Sequence, residues 1–117
     1  MRFQDKVVIV TGAAGGIGTA IAQRFSSEGA QVVVTDVNAA GVEATAAAIR
    51  ATGGRARGFA SDISGAAGCK SVIADVLANE GRIDVLCNNA GINRRGPLLS
   101  LTAEDWDLSF AVNIDAM

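Results

Sequence analysis

The feature that most constrains the fold is an alternation between two hydrophobic periods along the chain. Val7–Val10 is an unbroken β-branched run, typical of a parallel strand buried on both faces. Ile17, Ile21 and Phe25 then recur every four residues, which marks one face of a helix. The alternation continues, with predicted strands at 31–35, 56–60 and 83–87 and predicted helices at 42–49, at 69–77 and from Thr102 onward.

This order predicts an α/β fold in which helices cover both faces of a doubly wound parallel sheet. The length of 117 residues fits one ordinary domain and also fits half of a larger α/β domain. The sequence contains 31 Val, Ile, Leu and Phe residues, which is enough apolar side chain for one modest core.

Composition excludes several kinds of chemistry. The sequence has no His, the usual general base near neutral pH and the commonest metal ligand, and no Tyr, so no phenol. The formal net charge is −2 and no basic stripe is present, which argues against nucleic acid as a partner. We therefore expect neither a metal site nor a nucleic-acid interface.

The cysteines and the N-terminal segment indicate the compartment. Cys69 and Cys87 do not have the spacing of a metal or redox pair, so we predict two reduced, buried thiols of a cytoplasmic protein. The apolar run Val7–Val10 is too short for a signal peptide or a membrane span. We expect no membrane partner.

A glycine-rich turn, Thr11–Gly18, joins the first predicted strand to the first helix. Ligands of parallel sheets bind at such a carboxyl end, and free amides with the helix dipole attract phosphate. The spacing is not G-x-G-x-x-G, because position 21 is Ile, and it is not a P-loop, because positions 17 and 18 are Ile and Gly. The alternative is a tight turn that uses glycine for geometry alone.

Asp36 ends the second predicted strand, 18 residues after Gly18. An acid at this place can accept both hydroxyls of an adenosine ribose. Its charge would repel a 2′-phosphate, and the next residues are Val37 and Asn38 rather than Arg. This pattern favours NAD, with NADP less expected; a solvated turn residue or a helix cap is the alternative for Asp36.

The spacing Thr11-Gly12-x-x-x-Gly16-Ile17-Gly18 resembles the cofactor fingerprint of short-chain dehydrogenases/reductases. Three further segments match that family in the same order: Asp62-Ile63, Asn88-Asn89-Ala90-Gly91, and Trp106 with Val112-Asn113-Ile114. The resemblance spans residues 7–114. It implies a Rossmann-type sheet of four strands in the order 3-2-1-4, and hydride transfer between a nicotinamide cofactor and an alcohol or ketone.

The resemblance also implies roles for particular residues. Asn113 takes the position of the family's catalytic Asn, which holds a water of the proton relay. Cofactor binding falls to Thr11, Gly12, Ala14, Gly15, Gly16, Ile17, Gly18, Asp36, Asp62, Ile63, Asn89, Ala90 and Gly91. Without the resemblance, Asp62 could simply cap a turn, and the two asparagines could stabilise a loop.

The family's Ser and Tyr-x-x-x-Lys are not in the sequence, whose lysines are Lys6 and Lys70. We expect residues 1–117 to form one NAD(P)-binding domain, truncated before that segment and inactive alone. A non-catalytic dinucleotide-binding module and an inactive fold fragment are the alternatives. The fourth strand would be an open apolar edge. The fourth helix commonly packs against another subunit in the family, so a homo-oligomer is expected.

Substrate identity depends on one short segment, Asn93-Arg94-Arg95, at the mouth of the expected site. Two adjacent arginines could bind an acidic substrate, whereas a solvated loop with ordinary surface charge is the plainer interpretation. Beyond a small-molecule alcohol or ketone, the sequence identifies no substrate.

Overall fold

The computed structural model describes residues 1–94 and 96–117, and the predicted Arg95 lies outside them. The described strands are β1 (Val7–Thr11), β2 (Gln31–Asp36), β3 (Arg55–Ala60) and β4 (Val85–Cys87). The helices are α1 (Gly16–Ser27), α2 (Ala39–Ala51), α3 (Ala66–Glu80) and α4 (Ala103–Phe110), with a 3-10 turn at Leu98–Ser100 and a π-helical turn at Ala111–Asp115.

The four strands form one parallel sheet in the order β3-β2-β1-β4, which confirms the predicted fold class and strand order. Val8 of β1 lies opposite Val32 of β2 on one side and opposite Val85 of β4 on the other. The carboxyl ends of β1, β2 and β4 therefore meet at one edge of the sheet, and β1 is central.

Alternate residues of β1 enter two different cores. Val8 and Val10 pack with α1 and α2 on one face, whereas Val7 and Ile9 pack with α3 on the other. All five residues of β1 are buried. This arrangement confirms the interpretation of the Val7–Val10 run as a strand covered on both faces.

Helix α1 contacts the sheet most closely through small residues, while Ile21 and Phe25 of the predicted stripe are half-buried and pack against the same core. Its buried residues are Gly18 and Ala22, whereas Ile17 is 75% exposed. A Cβ at Gly18 would lie 2.2 Å from the carbonyl oxygen of Gly12, so only glycine allows this approach of helix to turn. The prediction that Ile17 belongs to the buried face was wrong, because the next residue, Gly18, takes that position.

The face of α3 that packs on the sheet is narrower than predicted. Val72 and Val76 are buried, but Ile73 is 37% exposed and Leu77 49% exposed. The apolar stripe that predicts this helix consists of Cys69, Val72, Ile73, Val76 and Leu77, and only its two valines are buried in the core. Cys69 and Cys87 are free and half-buried, which is less burial than predicted.

Strand β4 begins two residues later than predicted, at Val85 instead of Ile83. Asp84 explains the difference because it pairs with Val7 partly through its side chain. Its backbone N–H donates to the Val7 carbonyl at 2.9 Å, and its carboxylate accepts from the Val7 N–H at 2.8 Å. The carboxylate thus replaces a backbone acceptor at the start of the ladder.

Helix α4 begins where the sequence predicts. Thr102 is its N-cap, and the Thr102 hydroxyl accepts from the Asp105 N–H at 3.0 Å. Asp105 accepts in return from the Thr102 N–H, which completes a capping box. Among the helices of the described residues, none is long and apolar enough to cross a membrane.

Candidate cofactor-binding site

The glycine-rich turn ends in an open cradle at the start of α1. Gly12 has a φ of +66° and Gly16 a φ of +57°, left-handed conformations that glycine adopts without strain. Gly15 is the N-cap and supplies no side-chain acceptor, so the first amides of α1 have no partner within the helix. Added Cβ atoms at Gly15 and Gly16 would meet no described atom within 4 Å. The cradle therefore presents unpaired N–H groups at the positive end of a helix, where an anion binds well.

The other two glycines of the turn serve packing. A Cβ at Gly12 would lie 2.7 Å from Cα of Ala90, and one at Gly18 would lie 2.7 Å from Nδ2 of Asn89. Both contacts are too short for any residue except glycine. Gly12 and Gly18 thus set the close approach of the turn to the segment after β4, while Gly15 and Gly16 leave space for a ligand.

Asp36 stands beside this turn at the end of β2 and is half-buried. Its Oδ2 accepts from the Ala14 N–H at 3.4 Å, and its Oδ1 accepts from the Asn38 N–H at 3.1 Å. Each carboxylate oxygen can accept a further bond, so both remain able to receive ribose hydroxyls. The N-cap of α2 is Asn38, which accepts from the Gly41 N–H, so Asp36 does not have the capping role considered as its alternative.

Asp62 and Ile63 follow β3 at the same edge of the sheet. The Asp62 side chain is exposed and its Oδ1 accepts from the Ser64 N–H at 2.9 Å. Hydrogen bonds from Ser64 lower the pKa of Asp62, which keeps the carboxylate ionised. Asp62 therefore stabilises a turn, as in its local interpretation, and at the same time faces the cavity described below.

Asn89 and Thr11 connect the ends of β1 and β4. The Asn89 side-chain amide donates to the carbonyls of Thr11 and Gly12 at 3.1 and 3.2 Å. The Thr11 hydroxyl accepts from the N–H groups of Asn89 and Ala90 at 3.1 and 3.0 Å. It donates to the carbonyl of Cys87. Both side chains are thereby committed to protein contacts that shape the site.

Asn113 performs a similar function one segment further along. Its Oδ1 accepts from the Ile92 N–H at 2.8 Å, and its Nδ2 donates to the Ile92 carbonyl at 3.0 Å. This reciprocal pair fixes the backbone just after Gly91, whose added Cβ would lie 3.4 Å from Oδ1 of Asn113. The side-chain amide of Asn113 is occupied by Ile92 on both its donor and its acceptor side.

These segments enclose a cavity of about 300 Å³ at the carboxyl edge of the sheet. It is lined by six of the predicted site residues: Gly12, Asp36, Asp62, Ile63, Ala90 and Gly91. Thr11, Asn89 and Asn113 brace its wall from behind. Ala14, Gly15, Gly16, Ile17 and Gly18 belong to the turn between Gly12 and α1 and are not among the lining residues.

Several lining residues carried no signal in the sequence. Val37, Ser61, Ser64 and Leu108 reach the cavity only because separate loops and α4 converge there. Arg94 also lines it, and Nε of Arg94 lies 3.9 Å from Oδ1 of Asp105. The described wall therefore carries two acids, Asp36 and Asp62, and one guanidinium.

Comparison with known proteins places these features in context. The family model for short chain dehydrogenases matches residues 6–117. D-threitol dehydrogenase of Mycolicibacterium smegmatis is 44% identical over 113 residues, covering 97% of this chain and 44% of that protein. Meso-2,3-butanediol dehydrogenase of Serratia marcescens is 41% identical over 117 residues, covering 100% of this chain and 46% of that protein.

Solved structures give the same result. A metagenomic short-chain oxidoreductase in complex with NADP superposes with a TM-score of 0.93 at 40% identity, covering 99% of this chain and 53% of that one. A short chain dehydrogenase from Burkholderia cenocepacia in complex with NADP also has a TM-score of 0.93, at 38% identity, covering 99% of this chain and 48% of that one. The chain spans about half the length of the relatives it matches.

Proposed function

Because the chain belongs to the short-chain dehydrogenase family, we propose that it is the cofactor-binding part of a nicotinamide-dependent oxidoreductase. One observation carries the proposal: the open cradle at Gly15 and Gly16 directly follows Ala14, whose N–H donates to the carboxylate of Asp36 at 3.4 Å. The cradle fits a pyrophosphate, and the carboxylate fits the hydroxyls of an adjacent ribose. When bound, the nicotinamide ring supplies or accepts the hydride.

The residues of this chain bind and orient the cofactor. The first amides of α1 hold the pyrophosphate, Asp36 holds the adenosine ribose, and Asp62 with Ile63 forms the wall for the adenine. Ala90 and Gly91 line the opposite wall, where the nicotinamide half would lie. Asn113 acts here by holding Ile92, which keeps this wall in place.

We propose a preference for NAD over NADP. A 2′-phosphate would have to lie next to the Asp36 carboxylate, and like charges at contact distance repel. Val37 and Asn38 follow Asp36, so neither of the next two residues supplies a guanidinium to compensate for the acid. Two structural neighbours were solved in complex with NADP and therefore do not support a preference for NAD. The preference proposed for this chain rests on Asp36 alone.

Calorimetric titration of the purified protein with NAD and with NADP tests both proposals. We expect the wild-type protein to bind NAD more tightly than NADP. Asp36→Ala should lower the affinity for NAD about tenfold or more, because it removes a charged hydrogen-bond acceptor. Glu28→Ala is the control, because it removes the same charge at the other end of α1, about 18 Å along the helix from Gly16. Absence of NAD binding by wild type would refute the cofactor role. Unchanged affinities in Asp36→Ala would refute the ribose assignment.

The catalytic reaction is a proposal about a larger enzyme. The family's Ser and Tyr-x-x-x-Lys would come from residues outside this sequence, and the substrate would be a small molecule bearing a hydroxyl or carbonyl. The half-length match to two alcohol dehydrogenases supports this proposal. We place the enzyme in the cytoplasm, since the two cysteines are free thiols.

We also propose that the protein self-associates through β4 and α4. Within the described sheet β4 pairs only with β1, so one edge is open, and Leu86 on this strand is 45% exposed. On α4, Trp106 is 60% exposed and Phe110 47% exposed, with ring centroids 5.1 Å apart. An apolar surface of this kind favours association. Sedimentation at low micromolar concentration should show oligomers or aggregates, and a monomer with a cooperative melt would contradict the proposal.

A further inference from the structure

The glycine-rich turn is tied to helix α2 by a buried hydroxyl. Thr45 lies on α2 and is 5% exposed. Its Oγ1 donates to the carbonyl of Ala13 at 2.7 Å, across 32 residues of sequence. The hydroxyl of Thr19 on α1 lies 3.2 Å from the Thr45 hydroxyl and donates to the same carbonyl at 3.4 Å. The carbonyl of Ala13 is therefore held from both helices.

Thr45 is unusual for a threonine within a helix, because its hydroxyl bonds outside the helix. The buried residues of α2 are Val42, Thr45, Ala46 and Ile49, so Thr45 is the polar member of an otherwise apolar face. A helical Thr commonly bonds the carbonyl one turn back, whereas this hydroxyl donates to the turn between β1 and α1. Burying a hydroxyl costs free energy unless it forms such a bond. The bond to Ala13 accounts for a polar residue at this place.

The backbone around Ala13 is also held from the other side. Its N–H donates to the Thr35 carbonyl at 3.2 Å, and its side chain is fully buried. A Cβ at Gly41 of α2 would lie 2.7 Å from Cβ of Ala14, so this helix also touches the next residue of the turn. β2 and α2 together thus fix the segment that leads directly into Gly15 and Gly16.

We propose that Thr45 is a positioning residue for the pyrophosphate cradle, so that α2 sets the affinity of the site without touching the ligand. This inference rests on the proposed cofactor role. The Gly15–Gly16 cradle has no capping side chain, and its glycines allow many conformations, so its geometry depends on the residues before it. The short bond from Thr45 fixes the peptide group between Ala13 and Ala14. Only one further peptide group, between Ala14 and Gly15, separates it from the cradle. A mispositioned cradle aims its amides away from the phosphates.

Isosteric replacement tests the inference. Thr45→Val removes the hydroxyl and keeps the volume, and we expect NAD and ADP to bind about five- to tenfold more weakly, in proportion to one buried hydrogen bond. Adenosine, which has no phosphate, should bind with unchanged affinity. Thr45→Ser should restore the affinity for NAD. Thr19→Val should have a smaller effect, because its bond to Ala13 is longer.

Ile49→Val on the same buried face of α2 separates positioning from stability. The smaller side chain should lower the melting temperature. NAD affinity should not change, because the apolar Ile49 side chain forms no hydrogen bond with the turn. Equal loss of NAD affinity in Ile49→Val and Thr45→Val, loss of adenosine affinity, or failure of Thr45→Ser to rescue would each overturn the inference. NAD binding by wild type with unchanged binding in Thr45→Val would overturn the inference alone. Absence of NAD binding by wild type would overturn the proposed function as well.

Discussion

Two glycines of the same turn should respond in different ways to one added methyl group. In Gly18→Ala the new Cβ would lie 2.2 Å from the Gly12 carbonyl oxygen, whereas ordinary contacts begin at 3.4 Å. Helix and turn must separate by about 1 Å to relieve the overlap. Overpacking of this kind costs about 1–3 kcal/mol, which exceeds the gain of about 1 kcal/mol for Ala over Gly in a helix. Because the overlap is with a backbone oxygen at 2.2 Å, the cost lies at the upper end of that range, and we expect a net loss of about 2 kcal/mol in the free energy of unfolding.

Gly15→Ala should leave the fold intact. Gly15 has a φ of 173° and a ψ of 178°, an extended backbone open to any residue, and its added Cβ meets no described atom within 4 Å. Ala is a poorer N-cap than Gly but loses less backbone entropy on folding, and the two effects nearly cancel, within about 0.5 kcal/mol. The methyl group enters the space that we assign to the pyrophosphate, so NAD affinity should fall while stability does not.

Urea unfolding and calorimetric titration of both variants measure the two effects. Gly18→Ala should lose stability and, because its cradle shifts by about 1 Å, up to about a hundredfold in NAD affinity. Gly15→Ala should lose affinity alone. Wild-type stability in Gly18→Ala would refute the packing argument. Wild-type NAD affinity in Gly15→Ala would refute the assignment of the open space to the pyrophosphate.

Two further predictions concern side chains that hold the backbone before and after β4. A hydrogen bond from Arg82, with another from the Val7 N–H, holds the pKa of Asp84 below its ordinary value of 3.8, so the carboxylate stabilises the fold above that pH and loses this effect as the pH falls through the lowered pKa. Asp84→Asn should therefore lower the melting temperature near neutral pH, and a difference from wild type that does not narrow in acid would contradict this account. Asn113→Ala should speed amide hydrogen exchange at Ile92, since the half-buried Ile92 N–H loses its acceptor and with it about 1 kcal/mol. Asn79→Ala, which removes bonds to Asp75 alone, is the control, and unchanged exchange at Ile92 in Asn113→Ala would refute the bracing role.

The sequence predicts the sheet well because its signals are local. The β-branched run of Val7–Val10 and the change of period after it define a strand and a helix within a few residues of each other. The order of the strands came from the family resemblance and is confirmed. The start of β4 was misplaced because Asp84 substitutes a side-chain oxygen for a backbone one, and no local pattern distinguishes that from a continuous strand.

The finer structure of the site depends on contacts between residues far apart in sequence. The sequence singles out the glycines of the turn, but not that Gly18 packs on Gly12 while Gly15 faces open space. It gives no indication that Thr45 bonds Ala13, because the partners are 32 residues apart and a Thr in an Ala-rich helix looks ordinary. Asn113 was predicted from its motif, whereas its bonds to Ile92 required the approach of the π-helical turn Ala111–Asp115 to the loop after β4.

Amide NMR spectra recorded during titration with NAD test most directly whether the glycine-rich turn and the adjoining cavity form the cofactor site. We predict saturable shifts of the amides at Gly15, Gly16 and Ile17, with further shifts at Ile63 and Gly91. Amides near a second cavity beside Phe3 and Phe25, outside the proposed site, should remain unchanged. An unshifted turn at saturating NAD, or shifts confined to the second cavity, would contradict the assignment.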